Sequence, residues 1–297
     1  MGEGVNPARA LGIDIGGTTI KIGRVGADGT LTETRTVPTP RDPHALADVV
    51  AAEVDRTPEP VIGVVNPGII DERTGVVTFA ANLGWRDLPL QAILERRLGR
   101  RVLLGHDVRA GALAESLWGA GAAGDMLFMP LGTGIASALV IDGVVRGTGW
   151  SGEVGQVLVP DPGRPGARIQ FEQIASASAL AARYAAITGS ADVSAGARGV
   201  LERLSAGDTA AADVVRTAIE VLADLLADAA GLLGPTPVVL GGGLAEAGDA
   251  VLEPLRAALA QRLPAELRPP LRAAVLGSWA GCLGAGALAL ELRQERR

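Results

Sequence analysis

The feature that most constrains this chain is a pattern that occurs twice. Residues 10–37, ALGIDIGGTTIKIGRVGADGTLTETRTV, predict a strand, a Gly-Gly-Thr-Thr bend, a second strand, an Asp-Gly turn and a third strand. Residues 125–143, DMLFMPLGTGIASALVIDG, repeat that order with a Gly-Thr-Gly bend, so Gly16 and Gly29 find counterparts in Gly132 and Gly143. Two glycine-rich hairpins could agree by chance, but the order of elements repeats as well, which indicates an internal duplication. An α/β chain of two lobes with a cleft between them is the expected architecture.

The bends also carry chemistry. In DIGGTT (14–19) glycine lets the backbone approach an anion closely, so that N–H groups of Gly16 and Gly17 and hydroxyls of Thr18 and Thr19 can face phosphate. Asp14 ends the strand where it can hold a hydrated Mg²⁺. Gly132, Thr133 and Gly134 form a similar bend without the acid, and Gly241, Gly242 and Gly243 end a third strand in LGGGLAEAG. Each bend alone is most often an ordinary turn. Neither GxxxxGK[ST] nor a helix-opening GxGxxG is present, so a hairpin-based phosphate clamp is favoured over the common nucleotide folds.

Composition narrows the classes further. The 297 residues are 48% hydrophobic and 20% charged, with 41 glycines and only 3% aromatic residues, so a core of Ala, Val, Leu and Ile is expected. A net charge of −6 argues against a nucleic-acid surface. One cysteine, Cys282, and two histidines, His44 and His106, exclude an intramolecular disulfide and leave no basis for a structural zinc site. The first ten residues contain no apolar signal segment, and the apolar stretch ahead of RQERR reads as a buried helix, so a cytoplasmic protein without membrane contact is expected.

Elsewhere, Asp42-Pro43 predicts a capped helix to about residue 55, and 88–99 a helix closed by Gly99. A buried strand is expected in 60–71, a strand in RVLLG, and a helix from Asp107 to about Trp118, with Asp107 as a favourable cap. Helices are expected over 171–187, 195–205, 208–232, 249–262 and 279–296, with one clear strand at 237–243.

Taken in order, the DxGGT hairpin, the LGTG hairpin and the GGG bend resemble the sugar kinase, heat-shock chaperone and actin superfamily. The stretches GVVNPGIIDERTGVVTFAANLGWRDLPL, HDVRAGALAE, PLGTGIASALV, GEVGQV, FEQIASASAL and VVLGGGLAEAG follow the order of the ROK family (repressors, open reading frames, kinases) of bacterial sugar kinases. The resemblance covers about residues 10–290 and implies a two-lobed actin-like α/β fold: a smaller lobe of 1–115 joined by a helix at about 284–297, and a larger lobe of 116–283. It implies ATP and Mg²⁺ as nucleotide and metal, a sugar or polyol as acceptor, and a homodimer.

The resemblance also assigns residues. Asp107 matches the catalytic base, which would accept a proton from a sugar hydroxyl. Asn82, Glu153 and Glu172 match sugar-contacting positions. Two acceptor-side positions depart from the family pattern: Gln156 replaces a histidine, and His106 replaces the asparagine before the base. The family's CxCGxxGCxE zinc loop is absent, with PDPGRPGARIQFEQ in its place, so ordering there is expected from packing or from Pro160, Pro162 and Pro165. The phosphate side is intact. Glucose is the default acceptor, with a seven-carbon cyclitol or a catalytically weak sugar-binding protein as alternatives. The segment ahead of Asp14 is too short for a winged helix-turn-helix, so a repressor is not expected.

Overall fold

The first bend and turn produce an antiparallel meander of β1 (Arg9–Ile15), β2 (Thr19–Gly26) and β3 (Leu31–Pro38). The computed structural model describes residues 9–56, 61–121, 124–189, 196–245 and 247–295. Asp42 caps α1 (Pro43–Val54) by accepting the His44 and Ala45 N–H groups, with Pro43 in the first turn where no N–H is needed. The fully buried β4 (Ile62–Asn66) leads into the small antiparallel sheet of β5 (Ile69–Asp71), β6 (Val76–Ala80) and β7 (Trp85–Leu88). Helix α2 (Leu90–Leu98) ends at Gly99, whose φ of 62° is the left-handed stop. Strand β8 (Val102–His106) then runs directly into α3 (Asp107–Trp118).

The second half repeats this plan. Strands β9 (Met126–Pro130), β10 (Ala138–Ile141) and β11 (Val144–Arg146) are followed by the hairpin of β12 (Leu158–Pro160) and β13 (Arg168–Gln170). Helices α4 (Glu172–Ala175), α5 (Ala177–Thr188), α6 (Gly196–Ser205) and α7 (Thr209–Leu233) lead to β14 (Val238–Gly241). The chain closes with α8 (Gly242–Ala245), α9 (Asp249–Ala260), β15 (Leu271–Ala273) and α10 (Ala280–Glu295). The sheet orders are β3-β2-β1-β4-β8 and β11-β10-β9-β14-β15, the same arrangement with each strand in the corresponding place. In both, the strand that precedes the glycine bend has a parallel neighbour: β4 beside β1, and β14 beside β9.

Two compact units result. One takes the described residues up to Gly124 together with Val140–Ser151 and those from Ser278 onward; the other takes Asp125–Leu139 and Gly152–Gly277. The expected boundary at 115/116 would cut α3, a continuous helix that ends at Trp118, so the division falls after it. The first unit's core is built from Leu11, Ile13, Ile15, Val64 and Leu104 on the sheet with Leu46, Val50 and Leu94 on α1 and α2. The second packs Met129, Leu240 and Phe171 against Val214, Leu222 and Leu255 of α7 and α9. Helix α10 lies against β1 and β4, where Gly12 and Gly63 leave room for its backbone.

Other expectations are adjusted. The helix expected over 171–187 is interrupted at Ser176, whose extended backbone and hydroxyl start α5 by accepting the Ala179 N–H. The second bend is longer than the first: Leu131 bridges Ile135, and β10 begins only at Ala138. Strands β12, β13 and β15 were not expected because three-residue strands show no periodicity. Residues 60, 195, 246, 296 and 297 of the expected elements, and the segment 1–8, lie outside the described residues. Among the described residues no helix is long and apolar enough to cross a membrane.

Candidate active site

The first bend is built as a tight loop. The Gly16 N–H donates to the Thr19 carbonyl at 3.0 Å, and Thr39 braces it from β3's end, its hydroxyl donating to Gly16 O at 2.8 Å and its N–H to Thr18 O at 2.9 Å. Gly17 and Thr18 are left exposed at its tip. Asn82 adjoins this tip: a Cβ added at Gly17 would stand 3.4 Å from the Asn82 Cβ.

Asp14 sits at the end of β1, directly opposite Lys21 of β2 in the ladder. Its pKa is raised from 3.8 to about 7, first by desolvation, then by repulsion from Asp107, with Lys21 offsetting part of the effect. Lys21 also donates to the Ser278 carbonyl and lies 5.8 Å from the Trp279 ring. A carboxylate crowded by a second carboxylate is a place where a cation relieves the cost of ionisation. No cluster of three or more His, Cys, Asp or Glu side chains able to hold a metal occurs among the described residues. The Asp14 site therefore fits a hydrated Mg²⁺ shared with phosphate rather than a protein cage.

Asp107 occupies the first turn of α3, where the helix dipole favours a negative charge. Its Oδ1 accepts the Val108 N–H at 2.7 Å, and Oδ2 has no hydrogen-bond partner among the described residues. The side chain is 30% exposed, enough to meet a ligand. The cap is His106, not Asp107: the His106 Nδ1 accepts the Arg109 N–H at 3.3 Å. That ring nitrogen lies 3.6 Å from Asp107 Oδ1, too far for a hydrogen bond, so the two do not form a proton-transfer pair. His106 is itself buried, at 3% exposure, and caps the helix start.

Two residues passed over in the sequence complete this turn. Glu72 Oε1 accepts both the His106 backbone N–H and the Arg109 Nε, each at 3.1 Å. The only sequence signal for Glu72 was its place just after a buried strand, 34 residues before His106.

In the second unit the two glycine bends form one structure. The Leu131 N–H donates to Gly241 O at 2.8 Å, and a Cβ at Gly242, whose φ is 77°, would stand 2.7 Å from Leu131 O. Only glycine satisfies both the positive φ and that approach. Gly242 and Gly243 open α8 rather than extending the strand, and both are exposed. The Gly132–Gly134 bend is tied to α5, with the Ala177 N–H donating to Gly132 O at 2.8 Å and the Ser178 hydroxyl to Thr133 O.

Gln156 and Glu172, expected on the acceptor side, are linked in a chain with Gln170. Gln170 Nε2 donates to Gln156 Oε1 at 2.7 Å, and Gln156 Nε2 donates to Glu172 Oε1 at 2.8 Å. The other Glu172 oxygen accepts the Ile135 N–H at 3.3 Å, which fixes Glu172 beside the second bend. Glu153, half-buried, begins the 3₁₀ turn that carries Gln156. Gln170 was not foreseen.

The segment that stands in place of the zinc loop carries a turn closed by side-chain hydrogen bonds. Asp161 accepts the Gly163 N–H at 2.8 Å and the Arg164 Nε at 2.9 Å, and the Gly163 bond foremost holds its carboxyl below the usual range. The Asp161 N–H closes the turn on Ala167 O at 3.0 Å.

Comparison with known proteins gives the chain's family. Residues 10–292 match the ROK family model. A glucokinase from Streptomyces coelicolor is 33% identical, over 95% of this chain and 97% of its own. An N-acetylmannosamine kinase from Citrobacter koseri is 35% identical, over 94% and 98%. Among solved structures, a ROK family glucokinase from Streptomyces griseus in complex with glucose and AMPPNP superposes with a TM-score of 0.81 at 31% identity, covering 95% of this chain and 99% of that one. The α/β fold is the actin-like ATPase fold of these kinases. With a family model across nearly its whole length and relatives of that identity, the chain belongs to the ROK family.

Proposed function

We propose that this ATP-dependent sugar kinase transfers the γ-phosphoryl group of ATP to a primary hydroxyl of a hexose, glucose first, with Asp107 as the general base. The observation that carries the reading is the placement of Asp107. It stands at the head of α3, electrostatically coupled to Asp14 of the intact DIGGTT bend, with one carboxylate oxygen unengaged.

In the proposed reaction that oxygen accepts the proton of the sugar hydroxyl while the hydroxyl oxygen forms its bond to the γ-phosphorus and the bond to ADP breaks. The N–H and hydroxyl groups of Gly16, Gly17, Thr18 and Thr19, with those of Gly132, Thr133, Gly134, Gly241, Gly242 and Gly243, hold the nucleotide. Asp14 would hold Mg²⁺, which when bound would neutralise phosphate charge. Asn82, Glu153, Gln156 and Glu172 bind the sugar hydroxyls, with His106 shaping the head of α3. Carboxylates suit this role because each accepts from vicinal hydroxyls.

The relatives are a glucokinase and an N-acetylmannosamine kinase, which support a hexose acceptor. The Gln170–Gln156–Glu172 chain favours keeping a cyclitol polyol in view, since the amide Gln156 stands where the family has a histidine. The test is phosphoryl transfer from Mg-ATP to a panel of glucose, mannose, N-acetylmannosamine and cyclitols. Transfer to none of them would overturn the reading. Asp107→Asn is expected to lower kcat by more than about 100-fold while acceptor binding by calorimetry stays within a few fold. A variant with wild-type kcat would remove Asp107 from the role.

A further inference from the structure

Arg109 is a charged side chain at 6% exposure, one turn into α3, and burial of a guanidinium is tolerated only where its charge and its donors are used. It links three segments. Its Nε donates to Glu72 Oε1, the same oxygen that holds the His106 backbone N–H at the end of β8. Its Nη1 reaches the Gly149 carbonyl at 3.4 Å. Its own backbone N–H is the one capped by His106.

Gly149 belongs to a segment with little stiffness of its own. Gly147 and Gly149 have φ of 96° and 57°, and the chain continues through Gly152, at 90°, into Glu153. A further pair of groups stays unmet: Arg109 Nη2 and the buried Asn66 Oδ1 both lack a partner among the described residues. Asn66 is the ladder partner of His106.

We propose that Arg109 is a positioning residue for phosphoryl transfer. Its planar fork, neutralised by Glu72, holds the Asp107-bearing turn of α3 and the 147–151 segment in one fixed arrangement, so that the base meets the acceptor hydroxyl without a search. A lysine cannot do this, because a single ammonium does not present the separate Nε and Nη1 donors in a rigid plane. The inference rests on the kinase reading with Asp107 as base.

The experiment is Arg109→Lys in the full-length protein, read by steady-state kinetics on the acceptor the panel identifies and by amide hydrogen exchange without substrate. The expected result is a fall of about 100-fold in kcat with KM for ATP within about twofold, as for a misplaced reacting group. Exchange rises in 106–110 and 147–151 together and stays unchanged in the rest of the first unit. Glu72→Gln, which removes the neutralising charge but keeps the shape, shows the same pattern more weakly. A variant with wild-type kcat, or one whose exchange rises throughout the unit as its Tm falls, overturns the proposal in favour of plain structural support. If the wild type transfers phosphoryl to no acceptor, the kinase reading fails; the tether is then decided by exchange alone, a joint rise supporting it and no rise overturning it.

Discussion

At Asp14 the sign of the electrostatics makes a measurable claim. Its pKa rises from 3.8 to about 7 on folding, so the native state binds this proton more tightly than the unfolded chain does. Its contribution to stability is therefore fully present below about pH 4 and is lost as pH rises toward 7. Asp14→Asn removes the liability: in the absence of nucleotide, the variant's Tm relative to wild type should climb from pH 4 to pH 8 and then level off. A difference that stays flat over that range would show that Asp14 ionises normally. Residue-scale reasoning from sequence reached this carboxylate because its strand end and glycines are local features. It did not reach Glu72 or Arg109, whose partners are 34 and 40 residues away in the chain.

At the scale of elements, α10 shows what glycine is for. A Cβ at Gly63 of β4 would stand 1.8 Å from the Ala285 carbonyl oxygen, and one at Gly284 1.9 Å from the Ala110 carbonyl oxygen. These neighbours are backbone, which cannot turn aside as a side chain can. Gly63→Ala should therefore destabilise the protein by about 3 kcal/mol or more, measured by urea unfolding. Gly231 of α7, where a Cβ would meet nothing within 4 Å, is the contrast: Gly231→Ala should stabilise by about 0.5–1 kcal/mol through helix propensity. Equal effects at the two sites would refute the packing account. The same scale explains the β12–β13 hairpin, in which Asp161 organises a turn through its carboxylate.

For the whole molecule, the hairpin of β12 and β13 carries no cysteine, and its turn is closed by Asp161. Cys282 is buried in the other unit with its thiol donating to Gly12 O at 3.2 Å, and burial pushes its pKa up, so it is not poised to bind metal. A zinc-selective chelator should leave the Tm unchanged within about 2 °C, and a large drop would show a zinc site that this arrangement does not account for. The matching strand orders of the two sheets place a glycine bend after the first strand of each, which is why one folding plan supplies both bends.

The sequence by itself determined what is local: the two bends, the Asp-Gly turns, the Asp42 cap, the long α7 and the place of Asp107 at a helix start. Each depends on φ preferences, capping or apolar periodicity within a few residues. Tertiary structure alone decided what those residues face. His106 became a buried cap, Asp14 gained its high pKa first from burial and then from Asp107, and Glu172 was pinned between Gln156 and Ile135. It also divided the chain through β10 and returned α10 to β1 and β4. Hydrogen bonds and charge interactions act over ångströms in space, and only the folded backbone brings residues that are distant in the chain within that reach.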